Sequence, residues 1–290
     1  MDRIAVISDI HGNVPALEAT LRDIRKRDVQ KLFCLGDLVG KGPHSCAAFD
    51  LCREQCGMTI KGNWDDLVVR GTGDPAALWH RRRLGRERLD YLGSLPHTIE
   101  SCMSSRGVRL SHASQRGVHH RVYADDPLGR RLALFSSTEF TGNALDPDVV
   151  GYGDIHAAYL TSLGRRTLFN VGSVGNPLDS TTASYAILEG ECGGRTDNVF
   201  SGCLVRVPYD VERAIRQARD EEMPDLEEYE NELRTARYRG AGYRPRETPR
   251  VPPQHGGAPG GSCASSAPCR KDDAVDEVAS WTNGQANDTT

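Results

Sequence analysis

The apolar positions of this chain come in short unbroken runs, and each run stops at a polar residue, usually beside a glycine. IAVIS leads into Asp9, LFCL into Gly36 and Asp37, and MTIK into Gly62 and Asn63. VRLS leads into His112, and VVGY into Gly153 and Asp154. Continuous apolar runs of this length predict buried strands, over 3–8, 32–35, 58–61, 108–111 and 149–152. Between the first three the period changes. Leu17, Leu21 and Ile24 form one stripe of a helix over 15–27, and a second helix is predicted over 44–55. The step from Asp9 to Asp37 suits one βαβ crossover of about 30 residues. A long helical stretch, 75–95, follows. Later the runs crowd together at 159–163, 166–170, 184–189 and 202–207, which predicts hairpins and a second, largely antiparallel sheet. Two charge-rich helices, 211–222 and 226–237, are expected to pack on this body or to serve an oligomer contact. From about residue 240 the chain turns to Pro, Gly and Ser, in RPRETPRVPPQHGGAPGGSCASSAPC, and stays polar to Thr290. Such a segment buries too little apolar area to offset its ordering entropy. The expected division is therefore one domain over 1–238 and a disordered tail over 239–290.

The polar stops carry metal-ligand chemistry: Asp9, His11, Asp37, Asn63, His112, Asp154 and His156. Oxygen and imidazole donors without thiolate suit Mn, Fe or Zn, and strands that end in such side chains describe a site at one sheet edge. Asp9 and His11 are two apart, so on an extended strand both would leave by one face. Asp37 falls between the two ligand groups in sequence and is the natural bridge. Asn63 ligates without adding charge. Two ions roughly 3.5–4 Å apart can clamp a phosphate and activate a water for in-line attack.

This series resembles the calcineurin-like metallophosphoesterase superfamily, whose ordered signature is D-x-H, GD, GN-H-D/E, a His, and G-H-x-H. Here it reads DIH at Asp9 to His11, GD at Asp37, GNWD at Gly62 to Asp65, His112, and GDIH at Gly153 to His156. NVGSVGNPLD, from Asn170 to Asp179, is similar to a segment of the small bacterial members. The resemblance covers roughly the first two-thirds of the chain. It implies an α/β fold, a four-layer αββα sandwich with two mixed β-sheets flanked by helices. It implies one ion on Asp9, His11, Asp37 and His156, and a second on Asp37, Asn63, His112 and Asp154. It also implies hydrolysis of phosphate mono- or diesters by metal-activated water at a binuclear site, with Asp37, Asn63 and His112 central to catalysis. Two departures stand out. Trp64 replaces the family's His, and an indole offers one N–H but no proton near neutral pH. It either stacks on a leaving group or packs at the rim. Asp154 replaces the first His of the last motif and would bring a negative charge to the second ion. Substrates with stable leaving groups are then expected: aryl or nucleotide diesters and pyrophosphate-type bonds. Protein serine/threonine phosphatase, dinucleoside polyphosphate hydrolase and an impaired binding scaffold are the alternatives.

Further side chains are candidates for substrate contact. His44, just past the GD loop, could reach the phosphate. Arg116, His119, His120, Arg121 and Tyr123 could cap the leaving group. Gly172, Gly175 and Asn176 are expected in a tight turn whose N–H groups could meet phosphate. The basic run at His80 to Arg83 reads as a solvated helix face, with an anionic-substrate patch as the other reading. Over 290 residues, 38% are hydrophobic and the formal net charge is -4, which gives no nucleic-acid signal. No apolar run reaches the roughly 20 residues that span a bilayer. Nine scattered cysteines without a CxxC pair, and a start directly on a strand, point to reduced thiols in the cytoplasm. Cys52 and Cys56 would share a helix face; Cys263 and Cys269 fall in the tail. The expected partner is a small phosphate ester or nucleotide, with no membrane and a possible homo-oligomer.

Overall fold

The computed structural model of the protein describes residues 1–71, 73–142, 146–194 and 198–238; the tail expected over 239–290 lies outside the described residues. The chain begins with β1 (Asp2–Ile7), α1 (Val14–Ile24), β2 (Lys31–Cys34), α2 (Ser45–Gln55) and β3 (Met58–Thr59). Then come α3 (Asn63–Arg70), α4 (Pro75–Ser94), β4 (Thr98–Met103), β5 (Arg106–Ser111), α5 (Leu128–Ala133) and β6 (Val149–Tyr152). The rest is β7 (Tyr159–Leu163), β8 (Arg166–Asn170), β9 (Ala183–Gly190), β10 (Ser201–Val207), α6 (Val211–Asp220) and α7 (Leu226–Thr235).

Two five-stranded sheets result, ordered β10-β9-β1-β2-β3 and β4-β5-β6-β8-β7. Both are mixed. In the first, β1 pairs parallel with β2 and antiparallel with β9. In the second, β6 pairs parallel with both β5 and β8, and β4 and β7 run antiparallel at the edges. The crowded runs after residue 158 do form hairpins, but they do not make a separate antiparallel sheet. The β7–β8 hairpin joins the second sheet, and the β9–β10 hairpin closes back on β1 of the first. Hairpin pairing is local and readable from spacing; the edge a hairpin docks on is a non-local choice.

Strand β1 shows why its run is unbroken. Ile4 and Val6 pack between the sheets with Val108, Leu110 and Phe169, while Ala5 and Ile7 pack with Leu17, Leu21 and Phe49 under α1 and α2. Each buried aliphatic contributes about 1.5–3 kcal/mol, so this strand's burial on both faces holds the frame of the site without help from the site itself. The outer face of the second sheet, with Val150, Tyr152 and Leu168, is covered by Val122, Leu134 and Phe135 around short α5. Helices α6 and α7 share their own cluster of Ile215, Met223, Tyr229 and Leu233. Arg213 of α6 reaches Glu18 of α1 at 2.9 Å.

Among the described residues, no helix is long and apolar enough to cross a membrane, and the described cysteines are free thiols. The run at His80 to Arg83 is only partly a solvated face. His80 is buried, with Nδ1 3.0 Å from Ser45 Oγ, and Arg81 donates to the carbonyls of Val68 and Val69. That stretch sews α4 to α2 and α3.

Candidate metal centre

Strands β1 and β2 run parallel, as do β5 and β6, so their C-terminal ends bring Asp9, Asp37, His112, Asp154 and His156 to one edge. The side chains do not leave from extended backbone, as expected for Asp9 and His11. β1 ends at Ile7, and Asp9, His11, Asp37, Asp154 and His156 all take positive φ, between 49° and 65°. Left-handed backbone costs a non-glycine residue about 1–2 kcal/mol, so the surrounding loops must hold it in place. They do. Asp9 N–H donates to Gly36 O at 3.0 Å, and Ile10 and His11 N–H both donate to Asp37 O at 2.9 Å. The GD and GN turns press together so closely that a Cβ on Gly36 would run into the backbone of Gly62, and one on Gly62 into the Asp37 carboxylate. Asp65 ties the same turns: its carboxylate accepts from the N–H groups of Asp37, Leu38 and Gly62 at 2.8, 3.1 and 2.9 Å. Burial pushes Asp65 up to about 6 even so. Asp65 stands within the GNWD motif, but nothing in the motif announces this bracing role.

The three imidazoles are oriented alike. Nδ1 of His11, His112 and His156 meets the carbonyls of Val39, Leu35 and Asn176 at 3.2, 2.8 and 2.5 Å. A carbonyl only accepts, so each Nδ1 carries the proton and each Nε2 turns inward. His11 Nε2 and His156 Nε2 then face each other at 3.1 Å. His156 Nε2 is 3.2 Å from Asp9 Oδ1, a buried oxygen with no hydrogen-bond partner. Asp37 Oδ2 lies 3.6 Å from both His11 Nε2 and His112 Nε2. His112 Nε2 is 2.9 Å from Asn63 Oδ1 and 4.0 Å from Asp154 Oδ1. Inward imidazole nitrogens and an orphaned carboxylate oxygen, all buried, are what a divalent cation satisfies once the rings are neutral. Asp9, His11 and His156 form one group able to hold such an ion, and Asp9, Asp37 and His112 another.

The electrostatics carry the same strain. Burial works against an ionised Asp9, yet it is held below the usual carboxylate range by His156, His112 and His11. Burial lifts Asp37 well above that range, and Asp9 and Asp65 add to the lift against the pull of His112. His11 is held well below its ordinary value by burial, then by His156 and Lys41. Burial opposes a charged His112, but Asp37, Asp9 and Asp154 together push it up to about 9.

Around the ligands a cavity is lined by Lys41, Trp64, Arg121, Tyr123, Leu178 and Tyr238. The Trp64 indole lies against Gly40 and meets His11 edge-on at 6.2 Å. Its backbone N–H donates to Asp37 Oδ1 at 2.7 Å. Arg121 of the capping loop forks onto Asp154, with Nε to Oδ2 at 2.8 Å and Nη2 to Oδ1 at 2.7 Å. Its neighbours in that loop are occupied with the protein. His119 pairs with Asp66 at 2.8 Å, and His120 with Ser114 Oγ at 2.8 Å. His44 precedes α2 and stands outside the cavity lining, its N–H on Gly12 O at 3.1 Å. Asn176 is turned into the protein: Nδ2 donates to Glu232 and Oδ1 accepts from Lys41. Lys41 and Glu232 were beyond sequence reasoning, Glu232 because it sits in a helix that reads as ordinary charged surface.

Residues 2–192 match the calcineurin-like phosphoesterase superfamily domain. The chain belongs to that superfamily. An uncharacterised protein of Methanocaldococcus jannaschii is 32% identical over 241 residues, 77% of this chain and 94% of that protein. The crystal structure of a metallophosphoesterase from Sphaerobacter thermophilus is similar at a TM-score of 0.64 and 26% identity, covering 81% of this chain and 99% of that one. A hypothetical protein from Pyrococcus horikoshii shares the fold at a TM-score of 0.65 and 18% identity, over 80% of this chain and 98% of its own.

Proposed function

We propose that this protein is a cytoplasmic phosphoesterase that uses two divalent ions, Mn, Fe or Zn, to hydrolyse a small phosphate ester or nucleotide. The observation that carries this reading is Asp37: one carboxylate oxygen stands equidistant from His11 and His112, the heads of two ligand groups. Asp9, His11, Asp37 and His156 would hold the first ion, and Asp37, Asn63, His112 and Asp154 the second. When bound, such ions supply Lewis-acid chemistry, neutralising phosphate oxygens and lowering the pKa of a water. The chain's own groups do the rest. Lys41 and Arg121 give the cavity two cations for an anionic substrate. Trp64 adds an apolar wall and no proton at neutral pH, so departing groups must be stable without one. Diesters with aryl or nucleotide leaving groups and pyrophosphate-type bonds fit this wall best. Metal analysis of the purified protein, with a panel of phosphate mono- and diesters, tests the proposal. Protein free of divalent ions that turns over none of them would end it.

Asp154 can serve both neighbours. The Arg121 fork uses one lone pair of each carboxylate oxygen, and each oxygen keeps another. The guanidinium also offsets the charge that Asp154 brings. Asp154→Ala should weaken the second ion about 10–100-fold and leave the first nearly unchanged, read by calorimetric titration. If both ions bind as before, Asp154 is only the counter-ion of Arg121.

Binding of the second ion should also be strongly pH-dependent. A ligand imidazole must be neutral, whereas metal-free His112 keeps its proton up to about 9. Affinity for the second ion should therefore rise about tenfold per pH unit toward that value and level off above it. Calorimetry in buffers of different ionisation heat should show net proton release at pH 7.

A further inference from the structure

We propose that helix α7 is part of the frame that positions the metal centre: its buried Glu232 locks Asn176, and Asn176 orients the ligand ring of His156. The proposal rests on the metal-dependent reading above and adds a positioning residue to it. Glu232 is 1% exposed. A carboxylate that deep costs several kcal/mol unless it is paired and hydrogen-bonded. Its partners here are the amide of Asn176, with Nδ2 donating to Oε2 at 2.9 Å, and Lys41 Nζ at 3.7 Å. Lys41 Nζ in turn donates to Asn176 Oδ1 at 2.8 Å. The two ends of one amide are thus read by a cation and an anion, which leaves a single orientation. The backbone of Asn176 is held as well, its N–H donating to Ser173 Oγ at 2.8 Å.

What this anchoring fixes is the Asn176 carbonyl, which accepts from His156 Nδ1 at 2.5 Å. That bond selects the His156 tautomer and aims Nε2 at Asp9 Oδ1, 3.2 Å away. Helix α7 is itself tied down, with Arg219 of α6 on Glu230 at 2.6 Å and Arg234 on Glu212 of α6 at 2.9 Å. Tyr229 of the same helix brings its hydroxyl up to Gly42, in the loop that follows Asp37. Glu232 lies beyond residue 192, where the match to the superfamily domain ends. This support therefore comes from a part of the chain beyond the matched residues 2–192.

The test titrates Mn2+ into the metal-free full chain by calorimetry, for wild type, Glu232→Ala, Glu232→Gln, Asn176→Ala and the double alanine variant. Glu232→Ala should weaken the first ion about 10–100-fold, and Glu232→Gln, which keeps an acceptor oxygen, should recover most of the loss. If Glu232 acts through Asn176, its alanine effect should vanish in the Asn176→Ala background. In the same metal-free proteins, 15N spectra of the histidine rings should show one well-defined His156 signal with Nδ1 protonated in wild type, and a shifted, averaged signal in Glu232→Ala. Unchanged affinity with an unchanged His156 signal in Glu232→Ala would overturn the proposal, as would full additivity of the two alanine effects. Wild type that takes up no Mn2+ would defeat the metal-dependent reading instead, and the His156 spectra would still decide the role of Glu232.

Discussion

Asp37→Asn should lower turnover about 10²–10³-fold and at the same time make the metal-free protein more stable. The two effects share one cause. Asp37 is a fully buried carboxylate whose charge is opposed by burial and by neighbouring Asp9 and Asp65, and the metal-free protein pays for holding it. An asparagine keeps the shape and the Oδ1 acceptor for the Trp64 N–H, and removes the charge. Its amide can also donate to the inward lone pair of His11, which the carboxylate cannot. The gain should be about 1–3 kcal/mol, the scale of a buried polar group relieved of its desolvation penalty. With ions bound, the balance reverses. A neutral amide bridges two cations poorly, and losing about 3–4 kcal/mol of transition-state stabilisation corresponds to the fold-change above. Melting curves with and without Mn2+, beside steady-state kinetics, separate the two signs. Near-normal turnover with two ions retained would remove Asp37 from the bridging position.

The strand ends and the order of the ligands could be read from the chain because both are local. An apolar run that stops at Asp or His beside Gly records its own burial and its own break. The left-handed backbone at Asp9, His11 and Asp37 could not be read that way. It depends on Asp65 and on the carbonyls of Gly36 and Asp37, which come from separate turns. The same limit hid the docking of the β9–β10 hairpin against β1, and the fork between Arg121 and Asp154, 33 positions apart. A charged residue in an amphipathic helix looks like solvent-facing surface until the helix has a place to pack. Glu232 is such a case: only the placement of α7 over the Asp37 and Asn176 loops turns it inward.

Trp64→His should raise turnover of substrates with poor leaving groups by up to about 10²-fold, the usual contribution of a positioned general acid. Position 64 is the second residue of α3, directly after Asn63, and its side chain lines the cavity over the ligands. An imidazole there could give a proton to a departing alkoxide, which the indole cannot. The nearby His80 does not substitute. Burial lowers it to about 4, so it is neutral at working pH, and its Nδ1 is engaged with Ser45. Aryl esters should change little, because their leaving groups depart without a proton. The indole also packs against Gly40 and stands edge-on to both His11 and His80, at 6.2 and 6.1 Å, so shrinking it should cost about 1–2 kcal/mol of stability at this half-buried position. The pH profile supplies an independent reading. With the introduced imidazole as the acid, turnover of alkyl esters by the Trp64→His variant should fall as pH rises through the ordinary imidazole range, a limb absent from wild type. Equal effects on aryl and alkyl esters, with no new limb, would leave Trp64 as a packing residue and return leaving-group protonation to solvent.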